Sequence, residues 1–594
     1  MHPTKPKKKF QTGLLPFVVG ILLSQSPLLP AWSTVSASEA TELKADVIIA
    51  GGSTAALAAA IASAESGADT ILIEPTDWIG GQLTASGVPP VDEAWHKITD
   101  SATEKVILDV AKIARDPRNM TPRFRDMLAE IGNPGRGWVS RYCYLPRTIL
   151  NDHLEPQIRR LSDRLTVLRE SVVKRVVLLP GRIVAFEVVQ RSPRKSQGYD
   201  RLPSQDLGDW YDPEPSDRFD KKTVLISGSS ADAVFIDATE WGEVLALATD
   251  NYLQGVDASD GAINEPGGND LCGQSIVFGF AQRMHKEPAP ESRLSLRESS
   301  KPTNPANTSD TSDTSGTFGY GKYKDRDDAW EKIWTYRRLA SKQSKPSAGD
   351  ITLQNWGYEP SAKNGGNDYP FGYLFLSKKK TAASRTNWKG GIDLQVMANA
   401  ESRAFTWHEW FKSHAPKEIG ANRISLAKDV FGTEHGLCKL PYIRDTRRSI
   451  GLDDFVLRLK DLLGDNDDQS KRTGKKFEDR VAIGAYPADV HFLTCCDYPK
   501  HIAEHRNTKP FYIPFRSLTH RDFDNLLVAG KTMAQSFMAN SATRLHPIEW
   551  SSGTAAGVAA AMMSRKKLTS RQVLESVGEL QILVKEKTPI EWSM

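Results

Sequence analysis

Gly51, Gly52 and Glu74 are the residues whose types and spacing most directly imply chemistry in this 594-residue chain. Gly51-Gly52-Ser53-Thr54-Ala55-Ala56 follows the apolar run Val47–Ala50 and leads into the small residues Ala58 to Ala64. A turn without bulky side chains at the start of a helix lets backbone N–H groups reach a pyrophosphate, where the positive end of the helix favours the anion. Glu74 ends a second apolar run, Thr70–Ile73, 23 residues after Gly51. A carboxylate at that distance accepts hydrogen bonds from a ribose diol. The pattern therefore implies dinucleotide binding. Ser53 stands at the second glycine of the G-x-G-x-x-G fingerprint and Ala56 at the third. Alanine is accepted at the third position, and serine at the second offers the pyrophosphate a short hydroxyl.

The elements that must position these residues form a βαβ unit: a strand at 47–50, a helix ended by Gly67, and a strand at 70–73. A second glycine pair, Gly80-Gly81, precedes Gln82 and lets backbone pass close to something flat. A charged, helical region runs to about Arg160. Alternating apolar residues then predict strands at 165–168, 172–179 and 182–189, read together as a small β-meander, and the polar stretch 191–222 reads as a loop or insertion. Val234 to Asp237 is a buried parallel strand that breaks at the small residues Ala238 and Thr239, a turn suited to a second close backbone approach. From Asp327 to Leu463, helix signals and tryptophans dominate, and Trp388, Trp407 and Trp410 suit core packing better than a substrate platform. Asn525 to Lys531 repeats the strand-to-glycine pattern, ending at Gly530, and Ser551 to Ala560, with Gly553, predicts a closely packing helix. The far end of the chain would thus rejoin the first sheet.

Composition narrows the class. Lys plus Arg is 77 against 73 for Asp plus Glu, a net charge of +4, so a nucleic-acid partner is not expected. Hydrophobic residues at 39% and charged residues at 25% fit a soluble globular protein. Residues 1–40 read as a signal peptide: Lys5, Lys7, Lys8 and Lys9 make a basic start, an apolar stretch from Leu14 to Leu29 follows, and Val35-Ser36-Ala37 is a cleavage site of small residues. Export to the periplasm or medium is expected, with no stable transmembrane span in the mature chain. The five cysteines show neither a disulfide framework nor metal-ligand spacing, and buried thiols are expected. Residues 287–321, rich in Ser, Thr, Asp and Pro, lack the apolar content to order and read as a surface loop.

Four segments in order carry a family resemblance: the glycine turn, Trp78-Ile79-Gly80-Gly81-Gln82, Phe235 to Gly242, and Leu526 to Gly557. Together with Pro441 to Gly451 and Pro514 to Leu518, they resemble the FAD-dependent oxidoreductase family of two-domain flavoproteins over roughly residues 45 to 565. The resemblance implies an α/β protein with a Rossmann-like FAD-binding domain, discontinuous and three-layered, and an inserted α+β substrate lobe. The expected parts are residues 41–130, 131–250 and 511–570 for the FAD domain, 251–510 for the lobe and 571–594 for a C-terminal tail.

By that resemblance FAD would be held by Gly51, Gly52, Ser53, Ala55, Ala56 and Glu74 on its ADP side. Gly80, Gly81 and Gln82 would pass the flavin, Asp237, Ala238 and Thr239 would close over the cofactor, and Gly530, Lys531 and Gly553 would approach the ring and its side chain. The family usually places a glycine where Glu240-Trp241 intervenes here. His546, just before the helix expected to face the flavin, is the expected proton acceptor, because imidazole titrates near neutrality. Arg544, Glu549 and His491 are the other candidates. The expected activity is hydride exchange between FAD and a small organic substrate. An NAD-dependent dehydrogenase and a non-catalytic exported scaffold are the alternatives.

Overall fold

The computed structural model describes residues 41–594 except 101–102, 196–198, 258–268, 290–317, 356, 358–364, 465–471, 499–501 and 503–505. The segment 1–40, expected to be a signal peptide, and most of the polar loop expected at 287–321 therefore lie outside the described residues. At the loop's end Phe318 packs on Trp407, with ring centroids 5.6 Å apart.

A six-stranded sheet organises the chain, in the order Thr519–His520, Phe523–Val528, Val234–Asp237, Val47–Ala50, Thr70–Ile73 and Leu165–Leu168. All neighbours run parallel except the short edge strand Thr519–His520. In register, Val234 faces Val47, Val47 faces Thr70, and Phe235 faces Leu526. Strands covered on both faces must be apolar throughout, which is why these segments read as continuous runs rather than as alternation. One face is covered by the helices Thr54–Glu65 and His546–Lys566. On the other face Ile48, Ile71, Phe235 and Leu526 share a core with Val173, Phe186, Val188 and Ile226 from a second, four-stranded sheet.

That second sheet corrects two expectations. It contains Thr41–Ala45, Phe219–Gly228, Arg182–Pro193 and Ser171–Leu179, whereas Leu165–Leu168 leaves the expected meander to pair in parallel with Thr70–Ile73. The stretch 191–222 is not a loop. It extends one strand to Pro193, forms the helix Pro203–Trp210, and enters the strand Phe219–Gly228. Asp220, Lys221 and Lys222 hid that strand: Asp220 and Lys222 point outward, and the Lys221 side chain is buried only because its Nζ pairs with Asp209 at 2.6 Å.

Between residues 242 and 519 lies α+β structure. An antiparallel sheet runs in the order Arg338–Ala340, Ile351–Gln354, Phe280–Met284, Ile424–Leu426. The helices Ala329–Tyr336 and Leu394–Ser413 pack beside it through stacked rings: Trp330 on Trp334 at 5.0 Å, Trp330 on Phe411 at 5.1 Å and Trp407 on Phe411 at 5.4 Å. Trp388 and Trp407 are fully buried and Trp410 stacks on Trp407, so all three belong to the core. A disulfide joins Cys272 to Cys496, which corrects the expectation of unpaired thiols; Cys143 and Cys438 are buried and free, and Cys495 is exposed. The bonded pair is 224 residues apart in sequence, a distance at which spacing carries no signal.

The two helices on the first sheet lie with backbones almost touching. A Cβ at Gly553 would run into the Ala55 carbonyl oxygen and sit 2.8 Å from its Cα, and one at Gly557 would run into the Ala59 carbonyl oxygen and sit 2.9 Å from its Cα. Gly553 therefore serves helix packing, a correction to its expected place at the cofactor. Overpacking a core contact typically costs 1–3 kcal/mol, and here the obstacle is backbone, which cannot rotate away. Gly557→Val is expected to lower the urea unfolding midpoint by the equivalent of about 3 kcal/mol or more, or to abolish soluble protein. A Cβ at Gly578 meets nothing within 4 Å, so Gly578→Ala should leave the midpoint unchanged or raise it slightly.

Candidate active site

The N-terminus of the Thr54–Glu65 helix is built to receive an anion. Ser53 caps it: its Oγ accepts from the Ala56 amide at 3.0 Å and donates to the Ala238 carbonyl at 2.7 Å. The hydroxyl thus ties the first glycine turn to the turn after Val234–Asp237. The amides of Thr54 and Ala55 stand ahead of the first i−4 carbonyl of the helix and remain available to a ligand. Gly52 has φ +104° and Gly81 φ +57°, and a Cβ on Gly81 would lie 2.6 Å from the Ser53 Cα. The Gly80-Gly81 turn therefore lies directly on the first glycine turn. At Gly51 a Cβ would meet Ala56 Cβ and Leu72 Cδ1, each at 2.7 Å, so this glycine is required first by strand-to-helix packing.

The other expected cofactor residues brace these turns. Asp237 Oδ1 accepts from the Thr239 amide at 3.0 Å and its hydroxyl at 2.7 Å, while Oδ2 accepts from the Leu245 amide at 2.9 Å. Glu74 Oε1 accepts from the amide and hydroxyl of Thr76 at 3.0 and 2.9 Å. Burial outweighs those two bonds and pushes the Glu74 carboxyl up to about 8. A donor-rich partner such as a diol fits that site.

Lys531 lies at the centre of a buried ion cluster. Its Nζ is 2.5 Å from Glu240 Oε2 and 3.3 Å from Glu549 Oε1, and it sits 5.3 Å from the centre of the Tyr442 ring. Burial opposes the Lys531 charge, but the two carboxylates outweigh it and the ammonium is held well above its ordinary value. Burial pushes Glu549 up to about 7 against the pull of Lys531. Both Glu549 oxygens and Glu240 Oε1 lack an aligned hydrogen-bond donor among the described residues, as Gln82 Oε1 lacks any partner there. Orphaned polar atoms beside a glycine cradle are what a bound, hydrogen-bonding cofactor would satisfy. Sequence reasoning named Lys531, Gln82 and Glu549 but missed Glu240 as the ion partner; its displacement of the usual glycine was the available signal.

His546 departs from its expected role. Its Nδ1 accepts from the Asp92 amide at 3.1 Å, and its Nε2 pairs with the Val88 carbonyl at 2.9 Å, which requires the proton on Nε2. Both nitrogens are therefore committed, and burial holds the ring down to about 4. A neutral ring without a free lone pair has no means of taking a substrate proton. What it does is pin residues 88–92, and through them the Asp92 carboxylate, which pairs with Arg337 Nη2 at 3.1 Å.

Asp92 and Arg337 line a cavity of about 690 Å3. Arg544, another candidate, also lines it: its Nη1 donates to the Tyr442 hydroxyl at 2.7 Å, its Nη2 donates to the Asp489 carbonyl at 3.0 Å, and its own carbonyl accepts from Gln82 Nε2 at 3.1 Å. Tyr442 and Arg544 thus form a wall with the cavity on one side and the Lys531 cluster on the other. His491 faces the same cavity, with Nδ1 2.5 Å from Asp368 Oδ2 and Nε2 3.3 Å from Asp489 Oδ2. Burial and the Arg444 charge press its titration down, yet the two carboxylates prevail and raise it above the ordinary imidazole range. No sequence motif marked Asp92, Arg337 or Asp368, since each acts through a partner distant in the chain, and Asp489, two residues from His491, gave no signal by itself.

Residues 46–197 and 227–583 match the family described as FAD dependent oxidoreductase. No curated protein matches the sequence. Among solved structures, the chain is similar to L-proline dehydrogenase from P. horikoshii at 13% identity and TM-score 0.16, covering 38% of this chain and 26% of that one. It spans about a quarter of that relative's length. A geranylgeranyl bacteriochlorophyll reductase-like protein from Thermoplasma acidophilum matches at 10% identity and TM-score 0.27, covering 92% and 84%. A point variant of E. coli quinol fumarate reductase FrdA matches at 12% identity and TM-score 0.27, covering 91% and 74%. Structural likeness of this degree carries no weight beside the family match. Among the described residues no three or more acidic, histidine or cysteine side chains form a metal-binding group, and no helix is long and apolar enough to cross a membrane.

The pinned imidazole has a pH signature. Its pKa in the unfolded chain is near 6.5 and in the folded protein about 4. The unfolded state therefore binds the proton first, so stability is complete above pH 6.5 and falls as pH drops towards 4, by up to about 1.4 kcal/mol per pH unit. His546→Asn should start lower at pH 7 and lose less between pH 6.5 and 4 than wild type, read from urea midpoints; parallel curves would show that His546 titrates normally in the fold.

Proposed function

The chain belongs to the FAD-dependent oxidoreductase family, and from that premise we propose that it oxidises a hydroxylated small molecule bound in the 690 Å3 cavity, with His491 receiving the hydroxyl proton. The single observation that carries this reading is the wall of Tyr442 and Arg544, which sets a solvent-reachable cavity directly behind the Lys531 cluster. When bound, FAD would supply the acceptor for the hydride, which carries both electrons away from the substrate C–H, while the hydroxyl proton goes to His491 and the alcohol becomes a carbonyl. Gly51, Gly52 and the amides of Thr54 and Ala55 would hold its pyrophosphate, and Glu74 its ribose diol. Gly80, Gly81, Gln82, Gly530 and Lys531 would lie along its flavin side.

His491 suits the proton step for a geometric reason. Asp368 is fully buried and holds the Nδ1 side of the ring, which leaves Nε2, only loosely approached by Asp489, as the nitrogen for a substrate hydroxyl. The Arg444 guanidinium, 2.8 Å from Asp368 Oδ1, and the His491 ring hold the Asp368 carboxyl near 2 against the opposing effect of burial, so it stays ionised and fixes the tautomer. His546, by contrast, shapes the cavity by holding Asp92.

Export remains part of the proposal. The basic and apolar start of the chain supports it, and so does the Cys272–Cys496 bond, since disulfides persist in oxidising compartments. Mass determination of the mature N-terminus tests it; a chain that retains residues 1–40 in the cell would overturn it.

Two outcomes test the chemistry. Purified protein should be yellow and release FAD, and Glu74→Ala should weaken FAD by about twofold to tenfold, the usual effect of losing a neutral hydrogen bond; a colourless chain that cannot be reconstituted would refute the assignment. His491→Ala should slow substrate-driven flavin reduction by about 10²- to 10⁴-fold with FAD retained. Because the base must be neutral, the wild-type rate should rise with pH through a group above the ordinary imidazole range, and that inflection should vanish in the variant. A variant as fast as wild type at every pH would remove His491 from the mechanism.

A further inference from the structure

The aromatic residues of the cavity say what kind of molecule it takes. Seven of its twenty lining residues are aromatic, whereas aromatic residues make up 8% of the chain. Two of them present open surface: Trp95 is 58% exposed and Trp138 46%. Trp138 is held edge-on by Tyr336 at 4.6 Å and Tyr323 at 6.0 Å, and its Nε1 donates to the Lys332 carbonyl at 3.2 Å. Phe492, next to His491, is braced in the same way by Tyr498 at 4.8 Å. Rings fixed by their neighbours lose little freedom when a ligand ring stacks on them, and such pairs add to the stabilisation from buried area alone.

The charged residues narrow the class further, because they answer one another. Arg337 pairs with Asp92 at 3.1 Å, Arg141 with Glu93 at 2.6 Å, Arg544 with Asp489 at 3.6 Å, and Arg444 with the fully buried Asp368 at 2.8 Å. Of the lining cations, Arg115 and Lys322 stand outside these pairs, and Lys322 is exposed, with its Nζ 5.4 Å from the centre of the Tyr323 ring. A ligand anion would compete with carboxylates already seated on the guanidiniums, and a polyol would exchange many hydrogen bonds to water for acceptors already engaged. A neutral, flat molecule meets neither obstacle. His491 Nε2 suits a single hydroxyl on it, and a cavity of about 690 Å3 leaves room for substituents on its ring.

We propose that the cavity binds a neutral aromatic alcohol, with its ring on Trp138 and its hydroxyl at His491. This rests on the reading of the cavity as the substrate site. The carbinol carbon is then the one attached to the ring: its O–H proton passes to His491 Nε2, its hydride passes with both electrons to bound FAD, and an aryl aldehyde or ketone forms.

Calorimetric titration of the FAD-loaded full-length chain tests it, using benzyl alcohol, its saturated counterpart cyclohexylmethanol, benzoate and D-glucose, with FAD content measured separately from the visible spectrum. Benzyl alcohol should bind tighter than the other three. Trp138→Leu should cut the preference for benzyl alcohol over cyclohexylmethanol by about twofold to tenfold, the contribution of one aromatic pair, and Trp138→Phe should keep most of it. Both variants should retain wild-type FAD content, since the position is partly exposed and lies outside the core. Cyclohexylmethanol binding as tightly as benzyl alcohol, or a preference that survives Trp138→Leu, would overturn the aromatic platform. Benzoate binding tightest would overturn neutrality in favour of an anion, and glucose binding tightest would overturn the aromatic class in favour of a polyol. Benzyl alcohol should also bleach the bound flavin without oxygen; the expected binding order without bleaching would support the ligand class and overturn the oxidation, so the two failures are told apart.

Discussion

The close approach of two helix backbones sets the geometry on which the site depends. Gly553 and Gly557 on the C-terminal helix lie against Ala55 and Ala59 on the first helix, with no room for a single added carbon. That contact draws the last fifth of the chain onto the first βαβ unit and fixes where the His546–Lys566 helix begins. Everything just before or within its first turn inherits the placement: Arg544 reaches the cavity, His546 reaches residues 88–92, and Glu549 reaches Lys531. A helix face made of Gly, Ala and Ser carries almost no side-chain preference of its own, so its packing rests on shape and close backbone contact.

Around this contact the protein buries charge to a degree that needs explanation. Lys531, Glu240 and Glu549 lie together away from water, and such clusters are weak sources of stability because desolvation offsets the attraction. Their incomplete hydrogen bonding points to a ligand as the missing partner, in agreement with the family's cofactor. On the cavity side the charges are arranged as linked pairs running from Arg544 through Asp489, His491 and Asp368 to Arg444. Each member is oriented by the next, which leaves the cavity face rigid.

Much of the cofactor half was legible in the linear chain because it depends on local rules. Gly51, Gly52 and Glu74 stand at spacings set by strand and helix lengths, and the apolar runs of the parallel strands announce burial on both faces. Ser53 was legible as a departure, and its reason emerged in the fold, where it caps a helix and holds the neighbouring turn. The proton acceptor was misread for an equally physical reason: His546 sits at the expected position in sequence, but the direction of its ring nitrogens depends on Val88 and Asp92, more than 450 residues earlier. The strand Phe219–Gly228 was hidden because a half-charged strand resembles a loop until its partner is known.

The sequence by itself determined the βαβ opening, the dinucleotide class, the return of the C-terminal strand and helix, and the absence of metal-ligand spacing. Each of these is written in short-range periodicity and residue size. Only the tertiary structure decided which strands make up the second sheet, the Cys272–Cys496 bond, the Lys531 cluster and the cavity that joins Asp92, Arg337, His491 and Arg544. Those features arise where segments far apart in sequence meet, and the energies that hold them depend on distance and burial in space, which spacing along the chain does not encode.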